Sequence, residues 1–415
     1  VQIVAETVSI THLGHGGDGI AETSDGERVY VPYTLPGETV EIERSKDDGE
    51  RAHLVRIVAP SADRVAPLCP NFTHCGTCAL EHMARPAYLS WKREQVAAAF
   101  AQRGIDAEVE PAVAVQPGSR RRAIFSAIRA AKGTILGFHA RGSNEIIPVS
   151  ECAVLHPGIV AALPLINRVA SVALPRWKEA RVTVLLADNG LDIAITGAGK
   201  PTREMLDKLG GFGTDPALAR LTIDNLEVLR ARQPEFAAGP AMLLPSPGGF
   251  TQAAKSAEEA LSAAVLAHVG DTQPVADLFA GIGTFTFRLA AKAPVTAVEG
   301  DAALVGAIGH AARKARGLRQ VTALRRDLFA NPLAPAELDK FGAVVFDPPA
   351  AGAKAQAEML AKSKVGRIVA VSCNPATLAR DARILIDGGY TLTGVLPVDQ
   401  FLFSAEIEAV ATFVR

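Results

Sequence analysis

Residues 275–301 read VADLFAGIGTFTFRLAAKAPVTAVEGD. An apolar run breaks at two glycines, Gly281 and Gly283, a helical stretch follows, and a second apolar run ends in Glu299. Apolar runs that alternate with helical segments are the pattern of a parallel sheet covered by helices on both faces. The alternation continues through VTALRRDLF, AVVFDPPA, RIVAVSCNP and GYTLTGVLPVD to a last strand in AEIEAVATFVR. Residues 241–415 are therefore expected to form a Rossmann-like α/β unit, whose ligands bind beyond the carboxyl ends of the strands.

The polar residues of this unit gather at those ends. Gly281 and Gly283 allow a tight turn and a close backbone approach. The third glycine of a dinucleotide fingerprint is replaced by Thr286, so a pyrophosphate has no seat. Glu299 lies 22 residues after Asp277, where a carboxylate can take both ribose hydroxyls. Asp327, in RRDLF, can accept from an adenine amino group. This set suits a nucleoside cofactor such as S-adenosylmethionine. Asp347, in FDPPAAG, sits on a rim stiffened by two prolines and is expected to contact the methyl-donor region and the imide edge of a base. Cys373, in SCNPATLARD, precedes a helix whose N-terminal dipole would favour a thiolate, and covalent attack is its expected task. Glu406 and Glu408 are expected on one face of the last strand, with Ile407 turned away, and either can act as a base.

Upstream the pattern differs. Residues 1–60 read as short strands with Gly-rich turns, a small barrel of the kind that binds nucleic acids. Eleven acids against five bases in this stretch make it a poor phosphate clamp. Residues 61–240 follow as a central unit. Residues 85–103 carry Trp91, Val96 and Phe100 at helical spacing. Between 82 and 141 ten bases face four acids; Arg120, Arg121 and Arg122, followed by Phe138 and His139, suit RNA contact by charge and stacking. Asn189–Gly190 marks a hairpin turn.

The chain has five cysteines, an odd number that does not suggest a disulfide framework. Cys69, Cys75 and Cys78 lie within ten residues, and Cys152 is the distant fourth. Four thiolates can close around zinc or an iron–sulfur cluster, with Gly76 turning the backbone between them. At 415 residues, 48% hydrophobic and a formal charge of −1, the chain is neither disordered nor a basic nucleic-acid coat. No secretory or membrane-spanning segment is read, and a cytoplasmic monomer without membrane contact is expected.

SCNPATLARD, DPPAAG, DLFAGIGTF and the four cysteines together resemble the RNA uracil-5-methyltransferase family, in particular its bacterial group acting on 23S ribosomal RNA. The resemblance implies an OB-like TRAM barrel, a central iron–sulfur domain and a Rossmann-like methyltransferase domain. It implies Gln252, Phe279, Thr284, Glu299, Asp327 and Asp347 as S-adenosylmethionine contacts, Cys373 as nucleophile and Glu408 as base. It implies Cys69, Cys75, Cys78 and Cys152 as ligands of a [4Fe–4S] cluster. Ala350 stands where the family pattern carries arginine, and Glu406 where it carries histidine. The alternatives are a transfer-RNA or other uridine as target, and a non-catalytic RNA-binding protein on this scaffold.

Overall fold

The computed structural model describes residues 6–45 and 49–415; the expected strand at 1–5 and the turn charges of Lys46, Asp47 and Asp48 lie outside the described residues. Alternating apolar residues of the first five strands (Val8 and Ile10, Ala21, Val29 and Val31, Val40 and Ile42, Ala52) close one small core. The strands pair in the order Arg28–Val31, Gly19–Glu22, Glu6–Leu13, Thr39–Arg44, Ala52–Ala59, and a bridge from Tyr30 to Arg51 curls the sheet towards closure. Several of its acids are spent on structure: Asp25 and Glu6 on Arg44, Glu41 on Arg56, and buried Glu38 on Arg64.

The central sheet has seven strands, ordered Leu226–Arg230, Leu218–Ile223, Gly190–Thr196, Glu179–Ala187, Arg122–Ala130, Gly133–His139, Ile146–Pro148. Helix Pro157–Ala173 lays Ile159, Leu163, Ile166, Val169 and Ala170 on one face of it. The hairpin at Asn189–Gly190 forms as read, with Ala187 opposite Gly190.

The arginines that open this sheet correct the expectation of RNA contact: they are spent inside the protein. Arg121 pairs with Glu258 and donates to the Gln252 carbonyl at 3.1 Å. Arg122 donates to the Gly249 carbonyl at 3.1 Å and Arg120 to the Arg122 carbonyl at 3.1 Å. Glu258, on helix Lys255–Val269, is also 2.6 Å from Arg288. A buried carboxylate between two guanidinium groups ties the central sheet to the C-terminal unit. Removing one member of a buried ion pair leaves uncompensated charge, so Glu258→Gln is expected to cost about 3–5 kcal/mol of stability, read from the midpoint of urea unfolding. An unchanged midpoint would show that solvent reaches these arginines.

The C-terminal sheet has eight strands, ordered Val321–Arg325, Val295–Glu299, Val275–Leu278, Ala343–Phe346, Arg367–Ser372, Glu408–Val414, Thr391–Asp399, Val113–Ala114. The strand order reverses between Val275–Leu278 and Ala343–Phe346, which are parallel neighbours. That reversal opens the crevice in which sheets of this type bind ligands. The outermost strand and helix Arg85–Ala101 come from the stretch read as central. Val96 and Phe100 of that helix are fully buried in the same core as Leu278, Ile368 and Leu378. The apolar spacing predicted the helix correctly; which core would cover its apolar face is a tertiary matter. No helix among the described residues is long and apolar enough to cross a membrane.

Candidate active site

The cofactor loop is built by backbone geometry. After Leu278 the chain passes through positive φ at Phe279 (58°), Gly281 (56°) and Gly283 (95°). A Cβ on Gly283 would lie 2.6 Å from the Phe287 ring, so glycine is required there for room as well as for conformation. Phe279 pays for its left-handed backbone, a cost of roughly 1–3 kcal/mol, and packs its ring 5.3 Å from that of Phe329. Glu299 fastens the loop by accepting from the N–H of Gly281 and of Asp301, both at 2.9 Å. Asp327 caps its own turn, accepting from Phe329 N–H at 2.9 Å. Asp277 lies behind the loop, fully buried, accepts from the Thr286 hydroxyl, and is pushed up to about 7 chiefly by desolvation.

A cavity of about 500 Å³ opens at these strand ends. Its wall brings together Gln252, Phe279, Gly281, Glu299, Asp327, Asp347, Cys373 and Glu408. An adjoining cavity of about 230 Å³ shares Gln252, Phe279, Gly281 and Asp347 and adds Thr284. Residues up to 156 apart in sequence thus meet at one mouth: Phe279, Glu299, Asp347 and Cys373 lie where parallel strands end on one side of the sheet, and Glu408 begins the antiparallel strand beside them.

The two glutamates do not share a face. Glu406 is exposed and precedes the strand, whereas Glu408 begins it, 3% exposed and inside the cavity. Gln400 donates to the Glu408 carboxyl at 2.5 Å and to the Gln252 side-chain oxygen at 2.8 Å, while Ala253 N–H donates to Gln400 at 3.1 Å. Gln252 completes the chain by donating to Asp347 at 3.4 Å. Burial, and then the charge of Asp347, holds the Glu408 carboxyl well above the usual range. Asp347 is pushed up to about 7, first by desolvation and then by Asp277.

Cys373 departs from the expected thiolate. Its thiol is pushed up to about 11, first by desolvation, then by the charges of Glu408 and Asp347. The helix that follows does not offset this, because the Asn374 side chain already accepts from the N–H of Ala376 at 3.0 Å and Thr377 at 3.4 Å. Below pH 11 the thiolate fraction rises tenfold per pH unit. Alkylation of Cys373 in the free enzyme, followed by peptide mass analysis, is therefore expected to accelerate about tenfold per unit between pH 7 and 9 without a plateau; a plateau in that range would mean a thiolate already formed.

Three aromatic rings at the cavity were not read from the sequence: Phe250, 67% exposed, Phe329 and Phe401. Phe250 and Phe329 each stand two residues from a residue that was read, Gln252 and Asp327, and that nearness was the available signal; Phe401 has none. The loop that bears Phe250 and Gln252 is the one held by Arg121 and Arg122.

The cysteine loop lies against the barrel and the central sheet. Asp18 of the barrel pairs with Arg141 at 2.7 Å, and Gly76 N–H donates to the His139 carbonyl at 2.9 Å. Gly76 serves close approach, not a turn: its φ is not positive, but a Cβ there would lie 2.9 Å from Arg141 N and His139 O. Cys69 N–H donates to Glu81 at 2.7 Å. Burial raises the Cys78 thiol, and Glu81, Cys152, Cys75 and Cys69 raise it further. The four thiols are near enough to repel one another as thiolates, yet among the described residues no group of three or more His, Cys, Asp or Glu side chains is gathered to hold a metal ion.

Comparison with known proteins matches residues 5–47 to the TRAM domain and residues 315–414 to the family described as tRNA (Uracil-5-)-methyltransferase. An uncharacterized RNA methyltransferase of Brucella suis biovar 1 is 45% identical over 408 residues, covering 98% of this chain and 97% of the relative. The 23S rRNA (uracil(1939)-C(5))-methyltransferase of Shewanella sp. strain ANA-3 is 31% identical, covering 98% of this chain and 95% of its own. The chain belongs to the RNA uracil-5-methyltransferase family. It is an S-adenosylmethionine-dependent enzyme with an N-terminal TRAM domain, which removes the non-catalytic alternative. The Pyrococcus abyssi tRNA (uracil-54, C5)-methyltransferase shares the fold, with a TM-score of 0.73 at 20% identity over 98% of this chain and 99% of that one.

Proposed function

We propose that the enzyme methylates C5 of a uridine turned out of a structured RNA, with Cys373 as nucleophile, Glu408 as base and Asp347 orienting the base edge. The observation that carries this is the meeting of Cys373, Glu408 and Asp347 on the wall of one cavity, from the ends of different strands. Uracil C5 is a weak nucleophile. Addition of the Cys373 sulfur to C6, with loss of the thiol proton to solvent, moves electron density onto C5. S-adenosylmethionine supplies the methyl group from a sulfonium, and the C5–methyl bond forms as the donor's carbon–sulfur bond breaks. Glu408 then takes the C5 proton; the electron pair restores the C5–C6 double bond and expels Cys373 as thiolate. A raised pKa makes the ionised form of Glu408 a stronger base, and Glu408 must shed its own proton before it takes the one from C5. Gln252, Phe279, Gly281, Thr284, Glu299 and Asp327 are the residues we assign to the cofactor, and the exposed ring of Phe250 offers a stacking surface for an extruded base.

For the target we place transfer RNA ahead of the expected 23S ribosomal RNA. The family model matching the catalytic end of the chain is described for tRNA; the Shewanella relative, which acts on 23S rRNA, supports the second reading.

For Cys69, Cys75, Cys78 and Cys152 we propose a [4Fe–4S] cluster. Four soft donors suit it, and a cluster takes thiolates spread further apart than a single ion does. The charge of Arg120 lies close enough to Cys78 and Cys152 to offset theirs. The role assigned is structural, holding the loop between barrel, central sheet and catalytic unit.

Enzyme purified anaerobically, assayed for iron and sulfide, and given labelled S-adenosylmethionine with tRNA or 23S rRNA from cells lacking the gene tests these assignments. Expected are four irons per chain and 5-methyluridine in tRNA. Label in 23S rRNA alone would move the target, a product other than 5-methyluridine would overturn the chemistry, and iron-free active enzyme would overturn the cluster.

A further inference from the structure

The segment 400–407, between strands Thr391–Asp399 and Glu408–Val414, has no regular structure, yet it brings Phe401 to the cavity and delivers Glu408. Two separate pieces of chain hold it. Asp399, at its start, is fully buried 3.0 Å from the equally buried Lys92 ammonium and accepts from the Tyr88 hydroxyl at 2.9 Å. The same hydroxyl accepts from Phe403 N–H at 2.9 Å, and Lys92 also donates to the Glu406 carbonyl. Tyr88 and Lys92 stand one turn apart on helix Arg85–Ala101, on one face. From another side, the N–H groups of Ala79 and Leu80, which directly follow Cys78, donate to the Phe403 carbonyl at 2.8 and 3.0 Å. Phe403 itself is held at φ 61°, a left-handed conformation that a bulky residue keeps only where its surroundings over-determine it.

A lysine and an aspartate without solvent are a poor means of stabilising a core, since apolar residues of similar volume do as well or better. Here Lys92 donates to one backbone carbonyl of the loop and the Tyr88 oxygen accepts from one of its backbone N–H groups, and that loop ends in the base. We propose that Tyr88 and Lys92 are positioning residues for Glu408, acting through segment 399–407, with the Ala79–Leu80 backbone as the third support. The proposal rests on Glu408 being the base.

The chemistry gives it a signature. Addition of Cys373 to C6 and methyl transfer to C5 do not use Glu408; removal of the C5 proton and release of Cys373 do. A slackened loop slows the late step only, so methylated RNA remains covalently bound to the enzyme. A general loss of folding gives less of this adduct, not more.

The test uses full-length Tyr88→Phe, which removes one hydroxyl and keeps the ion pair, and Lys92→Met/Asp399→Asn, which removes both charges together so that neither is stranded. Glu408→Gln is the control. Turnover, S-adenosylmethionine affinity and the fraction of enzyme in a denaturant-resistant RNA adduct are measured. Tyr88→Phe is expected to lose about ten- to hundredfold in turnover, the effect of its two buried hydrogen bonds, with unchanged cofactor affinity and several-fold more adduct than the native enzyme. The double variant is expected to exceed it in both turnover loss and adduct. Adduct in Glu408→Gln but not in the clamp variants would overturn the positioning role. Absence of adduct in Glu408→Gln would overturn the base assignment and this proposal with it.

Discussion

Cys373→Ala is expected to abolish 5-methyluridine formation, lowering turnover by on the order of 10⁴–10⁶-fold, as loss of a covalent nucleophile does in other enzymes. Cofactor binding should persist, because the loop around Phe279, Gly281 and Glu299 is held by its own backbone hydrogen bonds and not by the thiol. The variant should also form no covalent RNA adduct. No thiolate is required in the resting enzyme. Burial, and then the charges of Glu408 and Asp347, push the Cys373 thiol up. Positive charge placed beside Asp347 and Glu408 offsets their contributions and favours ionisation. The nucleophile is therefore expected to be weak until the site is filled, which protects it from adventitious alkylation. Equilibrium dialysis with labelled cofactor and methyl transfer measured on the same preparation separate the two effects. A Cys373→Ala enzyme that still methylated uridine within tenfold of the native rate would require a different activation of C5.

Glu408→Gln is expected to lower turnover by about 10²–10⁴-fold, the usual contribution of a positioned base, while leaving the protein fold intact. Glutamine is close in shape to the protonated acid, and burial keeps Glu408 well above the ordinary carboxylate range. The sign follows for stability. A carboxyl whose pKa is raised by folding contributes most at low pH, and that contribution is lost as pH rises through the raised value. Replacing it with a neutral amide removes the loss, so the variant is expected to match or exceed the native enzyme in thermal stability at neutral and alkaline pH. Activity and stability should thus move in opposite directions. What distinguishes loss of the base from loss of the nucleophile is the trapped species: Glu408→Gln holds methylated RNA on Cys373, and Cys373→Ala holds none. Denaturing electrophoresis with labelled RNA reads this directly. A Glu408→Gln enzyme of normal turnover would assign the proton to another acceptor, and the exposed Glu406 would be the first to replace.

Several features of the site were legible without coordinates. Apolar runs ending in DLFAGIGTF, AVEGD, DPPAAG and SCNP imply a parallel sheet, and a parallel sheet brings its strand ends to one side whatever the intervening helices do. That is why Phe279, Glu299, Asp347 and Cys373 line one cavity. The helix at 85–101 was legible too, because apolar spacing is a local property of the chain.

What the amino-acid order could not show is where polar groups find partners. Arg121 reads as an RNA contact and is buried against Glu258, 137 residues away; Gln400 and Lys92 carry no motif and hold the catalytic end of the chain. Alternation left Glu406 and Glu408 equivalent and only the family resemblance favoured Glu408; the loop without regular structure before Glu408 cancels the shared face that alternation predicts. The thiolate expected at Cys373 fails for a related reason: a helix dipole is local, but the burial that raises the thiol, and the carboxylates that raise it further, come from other parts of the chain. Periodicity and strand-end chemistry were determined by the sequence alone, because they depend on neighbours along the chain. Charge pairing, burial and proton affinity were decided by the tertiary structure, because desolvation and Coulomb interactions depend on distances in space that only folding creates.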